Sequence, residues 1–129
     1  MPKQAIRTDN APKPVGPYSQ AIRAGGLLFV SGQGALDPKT GQPVRDSVEA
    51  EARQVMENLK AILEAAGSSL DRVVKSTCYV TDLADFQTFN KIYGEYFTQD
   101  PPARTTIQAA RLPLDFRVEV DVVATVDER

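Results

Sequence analysis

The chain of 129 residues contains no histidine, no tryptophan and one cysteine, Cys78. Each absence removes a class of chemistry. Without an imidazole there is no Ser-His-Asp or Cys-His nucleophile system, because both need that ring as the base. His-containing zinc sites go with it, and a single thiolate cannot build an all-cysteine site. No intrachain disulfide can form. No stretch approaches the roughly 20 apolar residues that span a bilayer, and the opening MPKQAIRTDNAPKP lacks the apolar core of a secretory signal. A reducing, cytoplasmic setting away from membranes is therefore expected. Positive charge is also short. Lys and Arg number 15 against 17 Asp and Glu, a net charge of −2, and no basic stripe is present to hold a nucleic acid. Catalysis, if any, falls to arginine, lysine, carboxylates, tyrosine, hydroxyls, backbone amides and water.

What remains is an ordinary globular composition, 42% apolar and 25% charged, which argues for one domain over residues 1–129. The first 17 residues read as an irregular lead-in. Residues 18–24 and 27–33 flank Gly25-Gly26, a two-residue hairpin connection. The consecutive apolar run Leu27-Leu28-Phe29-Val30 predicts a strand covered on both faces. Val48, Ala52, Val55, Met56, Leu59, Ile62, Leu63 and Ala66 recur at the spacing of one buried helical stripe. Asp46 and Glu49 are spaced as the two members of a capping box, and Gly67 is placed to end that helix.

Residues 73–80 predict a strand with Val74, Ser76, Cys78 and Val80 on one face, which buries the thiol. A second helix is expected from Leu83 to Phe97, capped by Asp82, with Phe86, Phe89, Tyr93 and Tyr96 or Phe97 toward the core. Asp100-Pro101-Pro102 stops it. Residues 104–110 and 117–126 read as a closing pair of strands. In the second, Val118, Val120, Val122, Ala124 and Val126 face one way, with Arg117, Glu119, Asp121, Val123 and Thr125 facing the other. The order gives an α+β fold, a mostly antiparallel sheet with two helices packed on one face. Leu27–Val30 and Val123 leave apolar positions on the second face, which points to contacts between copies of the chain.

No nucleotide fingerprint is present. Gly32-Gln33-Gly34 follows a strand but lacks the third glycine and runs into a Pro-containing loop. The carboxylates of the first helix read as a solvated face. Arg104, after Pro101-Pro102-Ala103, opens a strand on stiff backbone, where its fork suits bidentate capture of a carboxylate. Position alone leaves a plain surface arginine open. Glu119 sits on the polar face of the last strand, where a solvent-facing carboxylate is the alternative. A turn centred near Pro113-Leu114 would set Arg104 opposite Val123 and Glu119 opposite Gln108, about 13 Å apart at strand rise. Direct pairing within one chain is then not expected, whereas a cleft completed by a neighbouring subunit is.

Five short segments occur in order: Gly16-Pro17-Tyr18-Ser19-Gln20-Ala21, Phe29-Val30-Ser31-Gly32-Gln33, Pro102-Ala103-Arg104-Thr105, Ala110-Arg111-Leu112-Pro113 and Val118-Glu119-Val120. Together they resemble the RidA (YjgF) family of imine deaminases over about residues 8–126. The resemblance implies a chorismate-mutase-like fold and a homotrimer with clefts between subunits. It implies hydrolysis of 2-iminopropanoate and 2-iminobutanoate to 2-oxo acids and ammonia, without a cofactor or metal. By motif, Arg104 would bind the substrate carboxylate and act in catalysis with Glu119 and Tyr18. Ser31, Gly32, Asn90 and Thr106 would complete substrate binding. Many members carry cysteine where this chain has Thr106, so the Thr106 backbone amide is expected to serve, and no thiol chemistry is available there. Within the same resemblance lie a non-catalytic binding trimer and RNA cleavage or translational inhibition, the latter opposed by the charge balance.

Overall fold

The computed structural model describes residues 2–127. Its strands are β1 (Gln4–Ile6), β2 (Ala21–Ala24), β3 (Leu27–Gln33), β4 (Val73–Val80), β5 (Ala103–Gln108) and β6 (Val118–Thr125). Its helices are α1 (Val48–Ala65) and α2 (Phe86–Tyr96). The strands form one mixed sheet in the order β1-β2-β3-β6-β4-β5, antiparallel except for the β4–β5 pair. Among the described residues no helix is long and apolar enough to cross a membrane.

Burial follows the sequence periods. Val118, Val120, Val122 and Ala124 of β6 are buried, and they meet Val55, Met56, Leu59, Ile62 and Leu63 of α1 in the core between sheet and helices. Each such side chain removed from water contributes roughly 1.5–3 kcal/mol before entropy is charged against it. Phe89, Ile92 and Tyr93 bring α2 into the same layer.

Helix α1 ends as expected but begins differently. Gly67 adopts φ +81°, and the Gly67 and Ser68 amides return to the Glu64 and Leu63 carbonyls, a Schellman closure. The N-cap, however, is Ser47 and not Asp46: the Ser47 hydroxyl accepts from the Ala50 amide at 3.0 Å. Asp46 lies one residue too early for its carboxylate to fill that role. Glu51 also departs from the solvated face expected for this helix. It is 1% exposed, accepts from the Arg117 amide at 3.0 Å, and forms a close ion pair with the Arg117 guanidinium. Arg117 thus precedes β6 and reaches the helix layer instead of the open face.

Four further expectations are corrected. The lead-in contains β1, too short to show alternation. A bulge between Val73 and Lys75 turns Val74 outward, 46% exposed, while Ser76, Cys78 and Val80 stay buried as expected. The second helix starts with a 3-10 turn at Leu83–Asp85, capped by Asp82, and becomes α-helical only at Phe86. Finally, β5 and β6 do not pair. A helix separates β4 from β5, which is the crossover a parallel pair requires, and β6 is already flanked by β3 and β4. Arg104 therefore neighbours Ser76, and Glu119 neighbours Tyr79.

The second sheet face is open in the single chain: Leu27 and Phe29 are 40% and 45% exposed, so β3 is covered on one side only.

Candidate functional site

Strand parity sorts the expected site residues into two groups. Tyr79 lies between Glu119 on β6 and Ile107 on β5, and these positions belong to the open face. Ser76 and Cys78 are buried on the helix face and neighbour Arg104 and Thr106. Arg104 and Thr106 therefore belong with the helices, and Glu119 belongs with the open face.

The first group gathers around a bulge. Between Val30 and Gln33 the β3–β6 register slips, which takes Ser31 and Gly32 out of regular pairing. The Glu119 side chain lies directly over Gly32, where any Cβ would strike its carboxylate. Tyr18, Ser31, Gly32 and Glu119 together line a cleft of about 320 Å³, closed at one end by Pro113, Leu114 and Phe116. That size lies at the lower end of small-molecule sites, about 300–1,000 Å³. Ser31 is fixed by its hydroxyl, which donates to the Ser19 carbonyl at 2.6 Å. The Tyr18 hydroxyl accepts from the Val15 amide at 3.2 Å and remains at the cleft surface.

Burial raises the Glu119 pKa, and the nearby Asp121 charge raises it further. Asp121 is held in turn by the Tyr79 hydroxyl, which donates to it at 3.0 Å. A carboxyl tuned in this direction exchanges a proton nearer to neutrality than an exposed glutamate does.

The second group lies on the opposite face, along the edge strand β5. Arg104 and Thr106 line an open groove with Leu83 and Phe86. The guanidinium sits 4.8 Å from the Tyr93 ring centroid and 5.6 Å from that of Phe86. Asn90 lies between those rings on the same side of α2, by helical spacing. Among the described residues, Asn90 Oδ1 and Thr106 Oγ1 are buried side-chain atoms without a hydrogen-bond partner. Buried polar atoms of that kind are uncommon and costly. Thr106 lies two residues from Arg104 on the same face of β5 and lines the groove with it, so its unpartnered hydroxyl is a polar group at the site. Cys78, in register beside Thr106, is fully buried, and burial lifts its pKa to about 11. It is a core residue.

The sequence-expected residues are thus brought together as Tyr18, Ser31, Gly32 and Glu119 in one cleft, and as Arg104 and Thr106 in another, near Asn90. The two clefts are not joined within a chain. Sequence reasoning placed Phe86 and Tyr93 in the core and missed that their rings also support Arg104. It also missed Tyr79 and Asp121, which alternation on β4 and β6 places beside Glu119. Among the described residues no three His, Cys, Asp or Glu side chains cluster as metal ligands.

A small mixed sheet backed by two helices is the architecture shared with known proteins. The family model described as Endoribonuclease L-PSP matches residues 8–126. A RutC family protein of Pyrococcus horikoshii is 52% identical over 95% of this chain and 97% of its own length. The 2-iminobutanoate/2-iminopropanoate deaminase of Salmonella typhimurium is 45% identical over 94% of this chain and 96% of its own. The crystal structure of RidA from an Antarctic Psychrobacter superposes with a TM-score of 0.92 at 43% identity, covering 95% of this chain and 98% of that one. The chain belongs to the RidA (YjgF) family.

Proposed function

We propose that the protein is a cofactor-free hydrolytic deaminase of 2-imino acids such as 2-iminopropanoate and 2-iminobutanoate, including their enamine tautomers, and that it acts in the cytoplasm as a homotrimer. The observation that carries this reading is the half-buried Glu119 carboxyl, poised over Gly32 in a small cleft. Kinship with a relative named as such a deaminase supports it.

In this reading Arg104 of a neighbouring subunit holds the substrate carboxylate through two charge-assisted hydrogen bonds, roughly 1.5–3 kcal/mol each. Asn90 and Thr106, by its backbone amide, hold the polar groups beside it. Tyr18, Ser31 and Gly32 line the reacting end. The protonated imine carbon is already electrophilic. Glu119 takes a proton from water as the water oxygen bonds to that carbon, and the C=N π pair moves to nitrogen, giving a carbinolamine. The nitrogen is then protonated, the C–N bond breaks, and the hydroxyl proton leaves as the carbonyl forms. The products are a 2-oxo acid and ammonium. Water supplies the oxygen, and no electrons leave the system.

Free imines hydrolyse unaided, so an acceleration of about 10²–10⁴, roughly 3–5 kcal/mol, is all the site must supply. Positioning and one acid–base group suffice.

The test generates imine with a pyridoxal-phosphate threonine dehydratase and follows its disappearance by semicarbazone trapping. The wild type is expected to accelerate the loss and Arg104→Ala to abolish that effect while the oligomer persists. Undiminished hydrolysis by Arg104→Ala sinks its assigned role. No acceleration by the wild type would leave a binding trimer. RNA cleavage, the activity in the family model's description, is opposed by the net charge of −2 and the absence of a basic stripe.

A further inference from the structure

We propose that Tyr93 is a positioning residue for catalysis: its ring face, fixed from behind by Ser76 and Phe97, aims the Arg104 guanidinium without occupying any of its donors. This rests on the reading of Arg104 as the carboxylate clamp.

An arginine can be oriented by an ion pair or by an aromatic face, and the two have opposite consequences for ligand binding. A carboxylate partner engages the N–H fork that a substrate would need. An aromatic ring attracts the cation through its π face and leaves the in-plane N–H groups unengaged. Among the described residues, no hydrogen bond or ion pair involves the Arg104 side chain, whereas Arg53, Arg72, Arg111 and Arg117 each have a carboxylate partner. Arg104 has two rings instead, at 4.8 Å and 5.6 Å.

The nearer ring is itself held firmly. The Tyr93 hydroxyl and Ser76 Oγ share a buried hydrogen bond of 2.6 Å. Ser76 is the strand neighbour of Arg104 across the β4–β5 pair, so support and clamp are tied to the same rung of the sheet. Phe97 packs against the Tyr93 ring at 4.7 Å and Phe89 at 5.7 Å. These contacts hold the ring, and the guanidinium carbon lies over its π face, 4.8 Å from the centroid. Phe86, two helical turns earlier, is part-buried at the groove and supplies the outer shelf.

A ring that only holds the clamp in place affects ground-state and transition-state binding alike, so its loss raises KM and spares kcat. Tyr93→Leu keeps apolar bulk but removes the π face. Its KM for the imino acid is expected to rise about tenfold, with 2-oxobutanoate, the product carboxylate, losing affinity by the same factor. Tyr93→Phe keeps the face and the Phe97 and Phe89 contacts, and its KM is expected to fall well below that of Tyr93→Leu, with only the loss due to the Ser76 bond. Should Tyr93→Leu fail to fold, Phe86→Leu at the groove rim replaces it, with a smaller rise in KM expected.

A folded Tyr93→Leu with wild-type KM overturns the proposal, as does one that loses kcat alone. Equal damage from Tyr93→Phe overturns it too, by assigning the effect to the hydroxyl. If Phe86→Leu must stand in, an unchanged KM overturns the proposal. Failure of the clamp reading itself is distinct, because it would show as full activity in Arg104→Ala.

Discussion

Arg104 and Glu119 project from opposite faces of one sheet. Ser76 and Tyr79 of β4, their respective neighbours, lie three residues apart and so point to opposite sides. The two charged residues stand on strands separated by β4, which sets their backbones about 14 Å apart by strand spacing and rise. A single copy of the chain therefore cannot close both around one small substrate. In the proposed trimer, the open face carrying Leu27 and Phe29 beside β6 is where a second copy would bring the two clefts together.

Two glycines near the cleft should respond to alanine in different ways. A Cβ on Gly32 would meet the far end of the Glu119 side chain, which can swing aside. Gly32→Ala is therefore expected to fold normally and to lose most imine hydrolysis. A Cβ on Gly34 would run into the Phe116 ring, which is 6% exposed and has little room to move. Gly34→Ala is expected to cost about 1–3 kcal/mol of stability through overpacking. Urea melts at matched protein concentration, beside the trapping assay, separate the two outcomes.

The pH dependence of activity follows from the direction of the Glu119 shift. As general base Glu119 must be ionised, and burial followed by the Asp121 charge raises its pKa. The acid limb of kcat/KM is expected above the usual glutamate range. Asp121→Asn removes one of the two causes and keeps an acceptor for Tyr79, so the limb should move to lower pH, though not all the way. For stability the sign is reversed from that of a salt-bridged carboxylate. A raised folded pKa gives a contribution that is full below the unfolded pKa and lost as pH rises through the folded one. Glu119→Gln is thus expected to be inactive yet no less stable at pH 7, read from activity profiles and melts together.

What could be read from the sequence, and what could not, divides along local and non-local lines. The α1 stripe and the β6 alternation were legible because burial on one side writes a period into consecutive residues. Cys78 inherited its burial from the same rule. Val74 broke it because a bulge adds one residue to β4, and a bulge leaves no mark on hydrophobic alternation. The pairing of β5 with β4 instead of β6 was illegible for another reason: both strands read correctly one at a time, but partner choice is set by the α2 crossover. That error placed Arg104 opposite Val123 and hid its separation from Glu119 by sheet parity. Tyr18, Ser31, Gly32, Arg104 and Glu119 came from the five motifs, and Asn90 and Thr106 from the wider family resemblance. Their division into two clefts came from the order of strands.

The start of α1 offers a local test of cap against near-cap. Ser47 accepts from the Ala50 amide, whereas Asp46 lies outside the helix, with no cap bond among the described residues. Ser47→Ala is expected to cost about 1 kcal/mol, typical of a lost N-cap. Asp46→Ala should cost less, losing only a charge near the positive end of the helix dipole. Chemical denaturation of the two variants at fixed protein concentration measures the difference. A larger loss from Asp46→Ala than from Ser47→Ala would return the cap to Asp46.

Subunit mixing tests the separation of Arg104 from Glu119 most directly. Arg104→Ala and Glu119→Ala are each expected to be inactive alone, because every composite cleft lacks one partner. In a cyclic trimer the interface is heterologous, so each cleft draws Arg104 from one chain and Glu119 from the next. When the two variants are unfolded together at equal amounts and reassembled, a cleft is intact only if Arg104 comes from a Glu119→Ala chain and Glu119 from an Arg104→Ala chain. Random assembly makes about a quarter of clefts intact, half times half, so activity should recover to about a quarter of wild type. Recovery needs mixed oligomers, so mixing without unfolding should restore activity only as fast as subunits exchange. If each cleft were built within one chain, every chain would still lack a partner and mixing would restore nothing.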